Sequence, residues 1–169
     1  MSKIFVTSDT HFDHENIIDF CDRPFKDIYH MQEVLISNWN KVVKKDDTVY
    51  HLGDFAFCNK QKLTSIVERL NGKIILIKGN HDNHSFSFYN EIFYDFIPYP
   101  VIIDDFFILS HYPLFINKHM PYVNIHGHLH NTCHRSVDFE ITLKHYNVCV
   151  ENTNYTPVDF NELVKNLKQ

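Results

Sequence analysis

Short runs of β-branched and aromatic residues alternate along this chain with segments of helical periodicity, and that alternation confines it to architectures in which strands and helices share a core. The runs Ile4–Thr7, Thr48–Leu52, Lys73–Ile77, Val101–Ile103, Phe106–Leu109, Tyr122–Ile125 and Tyr146–Val150 read as strands. Between them, Met31, Val34, Leu35 and Val42 predict a helix from about His30 to Val43, and Leu63, Ile66, Val67 and Leu70 predict a second that stops at Asn71-Gly72. A third closes the chain, where Phe160, Leu163, Val164 and Leu167 repeat at helical spacing behind Pro157 and a capping candidate, Asp159. The expected fold class is α/β, with functional groups gathered on loops at the carboxyl ends of the strands. At 169 residues, 44% hydrophobic and 22% charged, with no internal repeat or Gly/Ser-rich linker, the sequence fits a single domain over residues 1–169.

The segments that follow the strand runs are Ser8-Asp9-Thr10-His11, Gly53-Asp54, Gly79-Asn80-His81-Asp82, Ser110-His111 and Gly127-His128-Leu129-His130. Any one of these alone reads as ordinary turn punctuation, with the histidine a polar loop residue. Turn chemistry gives no reason for oxygen and imidazole ligands to follow most of the strand runs, and 13 histidines are an excess for this length. Asp9 and His11 are one residue apart, so in an extended segment both side chains point the same way and grip one ion; His128 and His130 repeat the spacing. Imidazole, carboxylate and amide oxygen together suit manganese, iron(II), zinc, cobalt or nickel better than calcium. The candidates Asp9, His11, Asp54, Asn80, His111, His128 and His130 exceed what one ion needs. Two ions sharing a carboxylate, with Asp54 the natural bridge, satisfy the count.

In this order, D-x-H, GD, GNHD, H and GHxH between Asp9 and His130, the motifs resemble the calcineurin-like metallophosphoesterase superfamily. The local text SDTHFDHENII, RPF and VYHLGDF is similar to a branch of small, cap-less bacterial and phage members. The resemblance implies a two-sheet mixed β-sandwich flanked by helices. It implies one ion on Asp9, His11, Asp54 and His130 and another on Asp54, Asn80, His111 and His128, with manganese the first choice. The implied reaction is attack on phosphorus by a hydroxide bridging two divalent transition-metal ions. His81 would stabilise the transition state or protonate the leaving oxygen, and Asp82 would orient its ring.

Around this set, His14 reads equally as a substrate-pocket residue or, with Asp13, as the start of a short helix from Glu15 to Phe20. Arg23, ahead of Pro24-Phe25, is a candidate phosphate clamp, whereas Arg135 reads as a surface group. His51 and His126, inside strand runs, read as core histidines. The aromatic stretch Phe86, Phe88, Tyr89, Phe93, Tyr94 and Phe96 reads as a helical core face in preference to a base-stacking platform. Cys21, Cys58, Cys133 and Cys149 form no C-x-x-C pair and read as free thiols. The opening MSKIFVTSD lacks a signal-peptide core and no stretch approaches transmembrane length, so cytoplasmic residence is expected. A net charge of -5 without a basic run disfavours long nucleic acid and points to a small phosphorylated partner, such as a nucleotide. The competing class is a non-catalytic scaffold of the same fold; the complete ligand set and His81 weigh against it.

Overall fold

Apolar residues occupy consecutive positions in the first strand runs, which requires both faces of their sheet to be covered. The computed structural model describes residues 2–131 and 137–167. In it, β1 (Ile4–Thr7), β2 (Thr48–His51), β3 (Lys73–Ile77) and β4 (Asp95–Ile97) pair in parallel, and β9 (Val158–Asp159) closes the β1 edge antiparallel. A second sheet joins β5 (Val101–Ile103), β6 (Phe107–Ser110), β7 (Val123–His126) and β8 (His145–Asn147) in that order, antiparallel only between β5 and β6. The helices are α1 (Ile17–Phe20), α2 (Ile28–Val42), α3 (Lys60–Val67), α4 (Phe86–Ile92) and α5 (Phe160–Leu167). Among the described residues, no helix is long and apolar enough to cross a membrane.

The two-residue period of a strand divides the core. Phe5, Val49, Ile74 and Leu76 turn towards Met31, Trp39, Leu63 and Tyr89 on the helix side. Val6, Leu52 and Ile77 face the second sheet and meet Phe107, Leu109 and Ile125, together with Phe160 and Leu163 of α5. The result is the two-sheet mixed sandwich flanked by helices that the motif order implies. Register matters for function: Thr7 pairs with His51, His51 with Leu76, and Ser110 with His126. The strands that carry the ligand motifs therefore end level within each sheet.

Local chemistry explains where elements depart from the periodicity. α2 starts early because the Asp27 side chain accepts the His30 amide at 2.7 Å. α1 begins only at Ile17, behind Asn16, so neither Asp13 nor His14 opens it. In α4, capped by Ser85, Phe88 and Tyr89 are buried as a core face, while Phe86 and Tyr94 are exposed and Phe96 belongs to β4. β8 is shorter than its sequence run because the chain turns into a 3-10 helix at Val150–Thr153. Cys133 and Arg135 lie outside the described residues; Cys21, Cys58 and Cys149 are free thiols.

His51 and His126 are buried, as expected of core histidines. The His51 ring packs on Phe55 and stacks with Trp39. Thr10 Oγ1 gives its proton to the Phe55 carbonyl, so His51 Nε2–H donates to Thr10 Oγ1 at 3.0 Å. Burial pushes the His51 pKa down to about 3. In the unfolded chain the same imidazole titrates near 6.5, so stability that is intact above about pH 6.5 is lost as the pH falls towards 3. In metal-free protein, His51→Gln should flatten the pH dependence of the unfolding free energy between roughly pH 6 and pH 4 by about 1.4 kcal/mol per pH unit. Urea denaturation checks this, and an unchanged slope contradicts a buried neutral His51.

Candidate metal centre

The loops behind the strands turn more sharply than an extended segment allows. Asp9, His11, Asp54, His128 and His130 have φ of 58°, 48°, 55°, 67° and 52°, in the left-handed region that a side chain occupies only at a cost of about 1–3 kcal/mol each. Convergence of Asp9 and His11 thus comes from a tight turn and not from the alternation of an extended strand. His128 and His130 do not share a side: His128 Nδ1 lies 3.2 Å from His111 Nε2, while His130 Nε2 lies 3.4 Å from Asp9 Oδ1. Glycine is required where the loops cross. A Cβ on Gly79 would collide with the Asp54 carboxylate, and one on Gly127 with Ser8 and the Asp9 carboxylate.

The first cluster comprises Asp9, His11, Asp54 and His130, all buried. Asp9 Oδ2 accepts from the His128 amide at 2.9 Å and the Cys149 thiol at 3.2 Å, and Asp54 Oδ1 accepts from the His81 amide at 2.8 Å. Their other oxygens, Asp9 Oδ1 and Asp54 Oδ2, are buried without a hydrogen-bond partner among the described residues, as are His11 Nε2 and His130 Nε2. His11 Nε2 lies 3.7 Å from Asp9 Oδ1 and 3.6 Å from Asp54 Oδ2. Such spacing suits ligand atoms that each face one ion at about 2.0–2.2 Å. Although burial opposes its charged form, Asp9 is held well below the usual carboxylate range by His11, His111 and His130. Burial likewise works against charge on His130, yet Cys21, Glu151 and Asp9 raise its pKa to about 10. The surroundings favour a cation at that point, and a metal competes with the proton for it.

The second cluster shares Asp54. His111 Nδ1 donates to the Leu52 carbonyl at 2.8 Å, which in the neutral ring leaves Nε2 as a bare lone pair. That nitrogen faces Asn80 Oδ1 at 2.8 Å and Asp54 Oδ2 at 3.5 Å, an acceptor among acceptors that a cation would reconcile. Asp54, His111 and His128 place one ligand atom each within 4.8 Å of one another, and so do Asp9, His11 and Asp54.

Two expectations are corrected around this core. Asp82 does not orient His81: its carboxylate accepts from the amides of Gly79 (2.8 Å), Asp54 (2.8 Å) and Phe55 (3.0 Å), clamping two glycine turns together. Arg23 is not free to clamp phosphate. It is buried, and its guanidinium donates to Glu151, to the carbonyls of Asp9 and Thr10, and to the Met31 sulfur, which occupies all five N–H groups.

His81 and His14 stand at the rim. Their rings lie 5.5 Å and 5.4 Å from that of His11, and Phe57 packs on His14 at 4.9 Å. Two clefts open beside the clusters and share no lining residue. One of about 260 Å³ is lined by Phe57, His81 and His84, and the other, about 410 Å³, by Lys78, Asn80, Tyr99, His111 and Tyr112. Sequence reasoning missed Glu151, whose Oε1 accepts from His130 Nδ1 at 2.9 Å. It directly follows the last strand run, so the rule that found the other residues points to it as well.

Asp82→Ala strands three buried amides, each worth about 1–3 kcal/mol. Urea denaturation of metal-free protein should show a loss of at least about 3 kcal/mol, and a loss below about 1 kcal/mol contradicts the clamp.

The sequence pattern of the calcineurin-like phosphoesterases matches residues 2–166. The chain is 38% identical over 172 residues to an uncharacterized protein of Methanocaldococcus jannaschii, covering 98% of this chain and 91% of that one. It is 33% identical over 85 residues to the gene 66 protein of Mycobacterium phage L5, covering 48% and 41%. A crystal structure of a protein of unknown function from Aquifex aeolicus superposes with a TM-score of 0.76 at 32% identity, over 98% of this chain and 99% of that one. A Pseudomonas putida nuclease, at TM-score 0.52 and 20% identity over 75% and 61%, shares the fold. With its ligand motifs in order and the family pattern spanning nearly its whole length, the chain belongs to the calcineurin-like phosphoesterases, metal-dependent hydrolases of phosphoric esters.

Proposed function

We propose that this protein hydrolyses a small phosphodiester or phosphomonoester, such as a nucleotide, using two divalent transition-metal ions. Asp9, His11, Asp54 and His130 would hold one ion and Asp54, Asn80, His111 and His128 the other. The observation that carries the reading is the set of four buried ligand atoms, Asp9 Oδ1, His11 Nε2, Asp54 Oδ2 and His130 Nε2, that converge without a hydrogen-bond partner among the described residues. Asp54 Oδ2 fits the bridge, being 3.6 Å from His11 Nε2 and 3.5 Å from His111 Nε2. The mixed nitrogen and oxygen donor set admits manganese, iron(II), zinc, cobalt and nickel, and manganese is the ion we put first.

When bound, such a pair generates a nucleophile from water near neutral pH and offsets charge on the phosphoryl oxygens. The protein's own groups do the rest. Asp54 ties its second oxygen to the His81 amide, which fixes where the His81 ring begins. His81 lines a cleft with Phe57 and His84, where it can donate a proton to the leaving oxygen. His14 is the further candidate for contact with substrate, since it turns from the His11 carbonyl to lie between His11 and Phe57. The second cleft offers one lysine, Lys78, beside two tyrosines, which suits a small ester better than a polyanionic backbone. A scaffold role lacks support, because no ligand position is lost.

Manganese-loaded protein should cleave an aryl phosphate or a bis-aryl phosphate diester. His81→Ala should lower kcat by about 10²–10⁴-fold with metal content unchanged. Asp54→Ala should abolish turnover together with metal uptake, and turnover that survives it contradicts the site.

A further inference from the structure

Arg23 and Glu151 are 128 residues apart and form an ion pair with side chains 0% and 1% exposed. Glu151 Oε1 accepts from Arg23 Nε at 2.9 Å, Arg23 Nη2 at 2.7 Å and His130 Nδ1 at 2.9 Å. The same guanidinium reaches the strained turn behind β1, donating Nη2 to the Asp9 carbonyl at 2.8 Å and Nη1 to the Thr10 carbonyl at 2.9 Å. A buried ion pair is seldom more stabilising than apolar side chains of similar size, because desolvation offsets the attraction. Stability alone therefore gives little reason for this pair. What the contacts share is the first ligand cluster, reached from two sides.

We propose that Arg23 and Glu151 are positioning residues for the ion held by Asp9, His11, Asp54 and His130. Glu151 keeps the proton of His130 on Nδ1, so that Nε2 presents its lone pair beside Asp9 Oδ1. Arg23 holds Glu151 and, through the two carbonyls, the turn that aims Asp9 and His11 at the same point. Neither residue touches substrate. The His130 backbone is fixed independently: its carbonyl accepts from Asn147 at 2.9 Å and Asn152 at 3.1 Å, and its amide donates to Cys149 Sγ at 3.2 Å. Loss of Glu151 thus frees the ring and leaves the loop in place. The inference rests on the metal-centre reading given above.

The test replaces the pair without stranding a charge, as Arg23→Met with Glu151→Leu. Metal-stripped protein is titrated with Mn²⁺ by calorimetry, and the visible spectrum of Co²⁺-loaded protein is recorded. The double variant should unfold at a lower urea midpoint, because the Asp9 and Thr10 carbonyls lose their donors, yet bind one of two ions about 10–100-fold more weakly, bind the other unchanged, and show altered Co²⁺ bands. Glu151→Gln, whose amide oxygen can stand at Oε1, should recover most of the affinity. Arg23→Lys, which keeps a cation opposite Glu151 but lacks the fork for the two carbonyls, reports the same split should the double variant fail to fold. Wild-type affinity for both ions in the variants, or equal weakening of both, overturns the proposal and leaves the metal centre standing. A wild-type protein that takes up no Mn²⁺ overturns both.

Discussion

Two carboxylates, Asp9 and Asp54, are wholly buried at the ends of neighbouring parallel strands, and a buried charge persists only where something offsets it. Each ties one oxygen to donors, the His128 amide and Cys149 thiol for Asp9 and the His81 amide for Asp54. Each turns the other oxygen towards imidazole nitrogens. Those imidazoles are oriented in turn, His111 by the Leu52 carbonyl and His130 by Glu151. The chain thereby gathers carboxylate oxygens and imidazole nitrogens that face inward, an arrangement that apolar packing resolves poorly and a divalent cation resolves well.

The same contacts join the two sheets. Asp9 from the first sheet accepts from His128 and Cys149 of the second, Val150 N donates to the Ser8 carbonyl at 3.1 Å, and His111 reaches back to Leu52. Left-handed φ at five ligand candidates and the close passage of Gly79 and Gly127 are the local cost of that seam. Asp82 and Arg23 act at this level. One gathers the amides of two turns, and the other gathers two carbonyls and a carboxylate, so the strained loops are over-determined by bonds from outside them.

How much of this was legible depends on the range of each interaction. The ligand motifs could be read because each follows its own strand within two or three residues, and glycine marks several of the turns. The helix cores were legible from spacing, whereas β4 and β9, three and two residues long, carry too little pattern to register. Arg23 and Asp82 were misread for one reason. A guanidinium or a carboxylate beside a motif suits substrate or catalytic work by its type, but its partners are backbone groups, Met31 and Glu151, 8 to 128 residues distant for Arg23 and up to 28 for Asp82. The extended geometry assumed for Asp9-Thr10-His11 failed because left-handed turns are set by tertiary contacts and leave no mark on a D-x-H string.

One buried carboxylate, Asp54, joins the two ligand clusters through a single oxygen. Crystals of the protein soaked in Mn²⁺ and measured near the manganese absorption edge test it directly. The anomalous difference map should hold two peaks about 4 Å apart, with Asp54 Oδ2 between them and Asp9, His11 and His130 on one side opposite Asn80, His111 and His128. A single peak, or two peaks that do not share Asp54, contradicts it.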